Sequence, residues 1–113
     1  MQYINVMFGG KLWYHPKLPV NRTRGVDHQV WLVKEQRNIW VNNYHSDCIY
    51  EEGLASCFEP LAIDRENHVV EAYGSDEMKI LALQWHPERR FETANAYEET
   101  RKIILDFIQK YVK

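Results

Sequence analysis

A histidine and a glutamate two positions apart, His86 and Glu88, follow the apolar run Leu81-Ala82-Leu83-Gln84-Trp85. These residue types do paired work. An imidazole takes and gives protons near neutral pH, and a carboxylate within reach of one ring nitrogen fixes its tautomer and stabilises its cation. In extended backbone, residues i and i+2 project to one face, so Glu88 is expected beside the His86 ring. Pro87 between them fixes its own φ, disfavours helix at His86 and donates no N–H, which suits the carboxyl end of a strand entering a loop. The pair reads as two thirds of a catalytic triad. Taken alone, the tripeptide also fits a loop with an incidental ion pair.

The missing third is a nucleophile, and the chain has two cysteines, Cys48 and Cys57. Cys48 sits in Ser46-Asp47-Cys48-Ile49-Tyr50. No Gly-x-Cys-x-Gly turn surrounds it, and the neighbouring aspartate disfavours a thiolate. His45, Cys48, Cys57 and His86 would make a two-thiolate, two-imidazole zinc set, but the Cys48 to Cys57 interval lacks the paired Cys-x-x-Cys of structural sites. Both cysteines therefore read as packed side chains, and neither a metal nor a cofactor is expected. Arg22 and Arg24 are candidates for a phosphate contact, although a solvated basic loop explains them as well.

The elements that must position His86 and Glu88 alternate in an α/β order without internal repeats. Residues 1–8 carry Ile4, Met7 and Phe8 at helical spacing and run into Gly9-Gly10, so they read as the tail of a helix. Residues 11–25, with Pro16 and Pro19, read as loop. Strand candidates follow at 28–34, 39–42, 61–64, 68–73 and 79–85, and the polar break Asp64-Arg65-Glu66-Asn67 suggests a hairpin between the third and fourth. For the first strand, alternation leaves the buried face open. His28 stands at its start and reads as structural. Asn95 is a candidate N-cap with Glu98 as its capping-box partner, and the helix that follows places Ile104, Phe107, Ile108 and Tyr111 on one stripe to cover a sheet.

Composition removes several function classes. A net charge of −2 with no basic cluster offers nucleic acid nothing, and no run of 18 apolar residues is available for a membrane span. Two irregularly placed cysteines do not make a disulfide framework, and a basic, apolar leader is missing, so a cytoplasmic location is expected. Asn21-Arg22-Thr23 matches a glycosylation sequon by chance.

Three blocks together resemble the class I glutamine amidotransferases, in the γ-glutamyl hydrolase (peptidase C26) branch. They are Met1-Gln2-Tyr3-Ile4-Asn5-Val6-Met7-Phe8-Gly9-Gly10-Lys11-Leu12, Val41-Asn42-Asn43-Tyr44-His45-Ser46, and Val70-Glu71-Ala72 with Gln84-Trp85-His86-Pro87-Glu88. The resemblance implies a flavodoxin-like α/β fold with a mixed sheet and packing helices, of which residues 1–113 are the C-terminal half. It implies a cysteine thiolate attacking a γ-glutamyl amide or glutamine, with His86 as acid–base group, Glu88 as its acid partner and His45 lining the γ-glutamyl pocket. In this family a Gly-x-Cys-x-Gly elbow immediately precedes the block resembling residues 1–12. The nucleophile is thus expected outside this chain, and the chain is expected to be inactive alone, to need the missing N-terminal half as partner, or to self-associate through the surface that half would cover. A non-catalytic binding or regulatory remnant, and the C-terminal subunit of a split amidotransferase supplying ammonia, are the alternatives. Arg89-Arg90 after Glu88 resembles members that cleave a γ-glutamyl group from a nucleotide-linked phosphoramidate, and is also compatible with γ-glutamyl-polyamine or folate-type hydrolases.

Overall fold

A computed structural model describes residues 2–12, 26–43 and 48–111 of the chain. Its element order is α1 (Gln2–Met7), β1 (His28–Leu32), β2 (Arg37–Val41), a turn of 3-10 helix (Glu51–Gly53), β3 (Glu59–Asp64), β4 (Val69–Ser75), β5 (Ile80–Leu83) and α2 (Ala96–Tyr111). All five strands fall where turn residues bracket apolar alternation in the sequence. They form one sheet in the order β2-β1-β3-β4-β5, and each of the four pairings is antiparallel. A parallel strand of a larger mixed sheet would have to add at an edge, β2 or β5.

The expected hairpin between β3 and β4 is present, and its turn chemistry is explicit. Asp64 Oδ1 accepts from the backbone N–H of Glu66 at 3.1 Å and Asn67 at 3.3 Å, while its Oδ2 accepts from Asn67 Nδ2 at 2.9 Å. His68 then takes φ 57° to rejoin the ladder. Within that pair the register passes from Ala62↔Ala72 to Ile63↔Val70, which leaves Glu71 as the extra residue of a bulge. The bulge reverses the alternation of β4. Val70 and Tyr73 belong to one apolar cluster with Ile49, Phe58 and Ala82, against which Ile4 of α1 packs. Ala72 belongs to the other, with Val30, Leu32, Ile39, Val41, Ala62 and Trp85, covered in part by Ile103 of α2. Both faces of β4 are thereby filled, and Val69 to Gly74 are buried without a break. The face of β1 left open by its alternation is settled as well: Val30 and Leu32 point inward, with His28 buried beside them.

Three local expectations change. On α2 the buried stripe is Ala96, Thr100 and the half-buried Ile103, Phe107 and Tyr111. Ile108 is 43% exposed, because the face that meets the sheet is turned towards Thr100 and Ile103, roughly 50° round the helix from the stripe that the apolar count alone picks out. Asn95 does stand at the N-cap, its carbonyl accepting from Glu99 N–H at 3.2 Å, but its φ of 66° is left-handed and no side-chain capping bond forms among the described residues. On α1 the buried residue is polar: Met7 is 80% exposed, whereas Asn5 is fully buried. The Asn5 side chain donates to the Gly53 carbonyl at 3.0 Å and accepts from Ala55 N–H at 2.7 Å, which fastens the helix to the 51–55 turn. Gly9 ends the helix with φ 94°, as its sequence position suggests.

Arg37 of β2 and Glu99 of α2 meet at 2.8 Å. The hydrogen bond to Glu99 raises the guanidinium pKa, and the same bond lowers that of the carboxyl. Among the described residues no helix is long and apolar enough to cross a membrane.

Candidate functional site

The segment after β5 carries His86 and Glu88 and crosses the end of the sheet. β5 and β2 are opposite edges of the sheet, yet the segment leaving β5 ends against β2 and β1. Its first tie is to β4, where Gln84 N–H donates to the Glu71 carbonyl at 2.7 Å, one rung beyond the last strand pair. Trp85 then turns inward. It is 2% exposed and its indole N–H donates to Thr100 Oγ1 of α2 at 3.1 Å, so helix and segment are joined inside the core.

At His86 the segment reaches the residue after β2. The Asn42 carboxamide accepts from His86 N–H at 2.9 Å through Oδ1 and donates to the His86 carbonyl at 2.7 Å through Nδ2. Farther on, Asp27 Oδ2 accepts from the backbone N–H groups of Glu92 at 3.0 Å and Thr93 at 2.8 Å. Asn42 and Asp27 were not candidates from the sequence. Their partners lie 44 and 65 residues away in the chain, and only the Asn42 block's resemblance drew attention to that position.

His86 Nδ1 and Glu88 Oε1 stand 2.5 Å apart. The contact expected from the sequence is present, but its geometry differs: the backbone here is a turn, with Arg89 N–H donating to the His86 carbonyl at 3.1 Å and Pro87 and Glu88 at the corner. Proline favours the second position of such a turn, which explains why Pro87 brings the two side chains together by bending the chain. A carboxylate can only accept, so Nδ1 carries the hydrogen and Nε2 is the proton-accepting nitrogen of the neutral ring. The Glu88 carboxyl is held below its ordinary value first by the hydrogen bond from its own backbone N–H, then by the bond from His86. The side chains are 38% and 64% exposed, so the pair is open to an incoming group.

A concavity of about 300 Å³ lies beside the pair, ringed by Gln2 of α1 and residues 83–88. A second, of about 470 Å³, opens on the other side of Glu88 and is lined by Arg89, Arg90 and the first turn of α2. His45, the residue expected to line the γ-glutamyl pocket, lies outside the described residues, as do Arg22, Arg24 and the sequon at Asn21. Cys48 is fully buried, in keeping with a packed thiol, whereas Cys57 is exposed and corrects that expectation. Among the described residues no group of three or more His, Cys, Asp or Glu is arranged to hold a metal ion.

No curated protein matches the chain. Among solved structures it is similar to a Thermoplasma acidophilum protein assigned as one subunit of a GMP synthase, with 20% identity and a TM-score of 0.67. The alignment takes in 96% of this chain and 54% of that one, so the chain spans about half the length of its structural neighbour. At that identity the likeness speaks for the fold alone. The profile of the class I glutamine amidotransferases, by contrast, matches residues 1–104, which include α1, all five strands and the segment bearing His86 and Glu88. On that match the chain belongs to the class I glutamine amidotransferase family.

Proposed function

We propose that His86 and Glu88 are the acid–base pair of a cysteine-dependent hydrolysis at the γ-amide of glutamine or of a γ-glutamyl compound, with the thiolate supplied by a segment outside this chain. The observation that carries the reading is the His86 Nδ1 to Glu88 Oε1 contact of 2.5 Å on a backbone fixed from three directions. An incidental surface ion pair needs no such buried support. In the reaction, the thiolate attacks the γ-carbonyl and the tetrahedral intermediate collapses as protonated His86 gives its Nε2 proton to the departing nitrogen. A γ-glutamyl thioester remains. His86 Nε2 then takes a proton from water, which attacks the thioester and frees the carboxylic acid and the thiol. Glu88 fixes the tautomer and stabilises the cationic ring in both halves.

The γ-glutamyl hydrolase branch is the finer form of this proposal. Two of the three blocks that resemble it converge on the same strand end: Asn42 bonds the His86 peptide, and Glu71 bonds Gln84. A need for a partner is supported by surface left open where the sheet ends. The outer edge of β5 has no neighbour among the described residues, and α1 beside it exposes Tyr3 (86%), Met7 (80%) and Phe8 (48%). The structural neighbour is itself designated one part of a synthase, which makes the split amidotransferase a second reading, in which the same chemistry delivers ammonia to a synthase. The first test is hydrolysis of γ-glutamyl-p-nitroanilide by the 113-residue chain. No turnover is expected, and turnover abolished by His86→Ala would overturn the assignment of the nucleophile to another segment.

A further inference from the structure

We infer that Asn42 is a positioning residue for His86: its carboxamide holds the His86 peptide by both polar groups and so delivers the ring to Glu88. Asn42 is fully buried, and a buried carboxamide must place one acceptor and two donors. It places them on the segment it faces. Oδ1 takes the His86 N–H at 2.9 Å, and Nδ2 gives to the His86 carbonyl at 2.7 Å, with longer approaches of 3.4 Å to the carbonyls of Arg89 and Arg90. One side chain thus fixes the start of the turn that ends in Glu88, on the residue whose ring must be aimed. Aspartate would keep the acceptor and set a carboxylate against three carbonyl oxygens. Serine offers a single hydroxyl on a shorter stem, and glutamine is a methylene too long for the same two bonds.

The position of Asn42 makes this more than filling of a core. It follows Val41, the last residue of β2, and β2 is the sheet edge farthest from β5. No ladder bond links those two strands, and among the described residues the Asn42 carboxamide bonds both polar groups of the His86 peptide from the far edge of the sheet. Asp27 performs a separate task, holding Glu92 and Thr93 beyond the turn. The Glu71 tie acts two residues before His86. Between these two anchors, Asn42 is the side chain that bonds both the N–H and the carbonyl of residue 86 among the described residues.

The inference rests on the acid–base reading of His86 only for what the alignment serves, and its test requires no substrate, so the two succeed or fail separately. The ring nitrogens of His86 are followed in the ¹⁵N-labelled 113-residue chain through a rising pH series and read on the alkaline plateau where their shifts no longer change, with assignment by loss of the signals in His86→Gln. The unsubstituted chain is expected to show the Nδ1–H tautomer, and Glu88→Ala to show its loss in favour of Nε2–H, the form the free ring prefers. Asn42→Ala is expected to reproduce the Glu88→Ala spectrum while its amide resonances stay dispersed. A folded Asn42→Ala chain that keeps the Nδ1–H tautomer overturns the inference and leaves Asn42 a structural residue. Should Asn42→Ala not fold, amide exchange in the unsubstituted chain decides: His86 N–H is expected to be protected, and exchange as fast as in an open peptide overturns the inference.

Discussion

Thr100→Val isolates the buried side-chain hydrogen bond between Trp85 and Thr100, which joins α2 to the segment carrying the site. Thr100 is fully buried and Trp85 2% exposed, and the indole N–H reaches Thr100 Oγ1 at 3.1 Å. Valine has nearly the shape of threonine and a similar helix propensity, so the substitution chiefly strands a buried donor. The cost of such a donor is about 1–3 kcal/mol, reduced a little by the added methyl group, for a net loss of about 1–2 kcal/mol. In a domain of this size that lowers Tm by roughly 4–8 °C per kcal/mol. Trp85→Phe removes the donor itself, and the Thr100 hydroxyl can then turn to the carbonyl one helical turn back. Thr100→Val should therefore cost almost nothing in the Trp85→Phe background, which makes the coupling in the double-mutant cycle about 1–2 kcal/mol. Urea unfolding followed by circular dichroism at one fixed protein concentration measures it. Equal losses in both backgrounds would refute the reasoning, because the hydroxyl would then be stabilising something other than Trp85.

Gly10→Ala places a Cβ 2.2–2.4 Å from the Asn5 carboxamide, so Asn5 must leave Gly53 and Ala55; a loss of roughly 1–3 kcal/mol is expected in the same unfolding assay. Gly9→Ala meets no neighbour within 4 Å and pays only for its φ of 94°, roughly 1 kcal/mol, so the reverse ranking would contradict the account of the α1 tail. The lowered Glu88 carboxyl contributes stability that is present above the ordinary carboxylate range and is lost as pH falls through the lower folded-state value. Carboxyl NMR titration should show the Glu88 midpoint below that of a free glutamate and rising towards it in His86→Ala; no change on removing His86 would mean the two groups do not interact. Sedimentation of the chain alone should show self-association through the β5 edge and α1, and a strictly monomeric species across the concentration range would contradict that expectation.

What the sequence made legible follows from how local each signal is. The five strands are bracketed by turn residues, and Asp64 carries within four positions the side-chain bonds that close its hairpin. The meeting of His86 with Glu88 was legible for the same reason, although extended backbone was the wrong route: Pro87 brings the two together through a turn. Non-local effects were not legible. Which side of α2 faces the sheet depends on where β2 and β4 lie, and counting apolar residues put Ile108 inside when Thr100 and Ile103 take that place. A buried asparagine has no periodic signature, so neither the fastening of α1 by Asn5 nor the hold of Asn42 on His86 stands out in the chain. The bulge at Glu71, which decides which side of β4 faces α2, is likewise a property of the pairing.

We propose that this chain supplies the acid–base half of a thiolate-dependent γ-amide hydrolysis. The most direct measurement is glutamate release from glutamine, and from γ-glutamyl-p-nitroanilide, by residues 1–113 joined to or mixed with an N-terminal half of a class I glutamine amidotransferase that bears a Gly-x-Cys-x-Gly turn. Activity should appear with that polypeptide and be absent without it. His86→Ala should then lower kcat by about 10⁴-fold, Glu88→Gln should cost less, and Cys48→Ser should be nearly silent. A completed protein whose turnover is indifferent to His86→Ala, or one that Cys48→Ser inactivates while the elbow cysteine is dispensable, would contradict the claim.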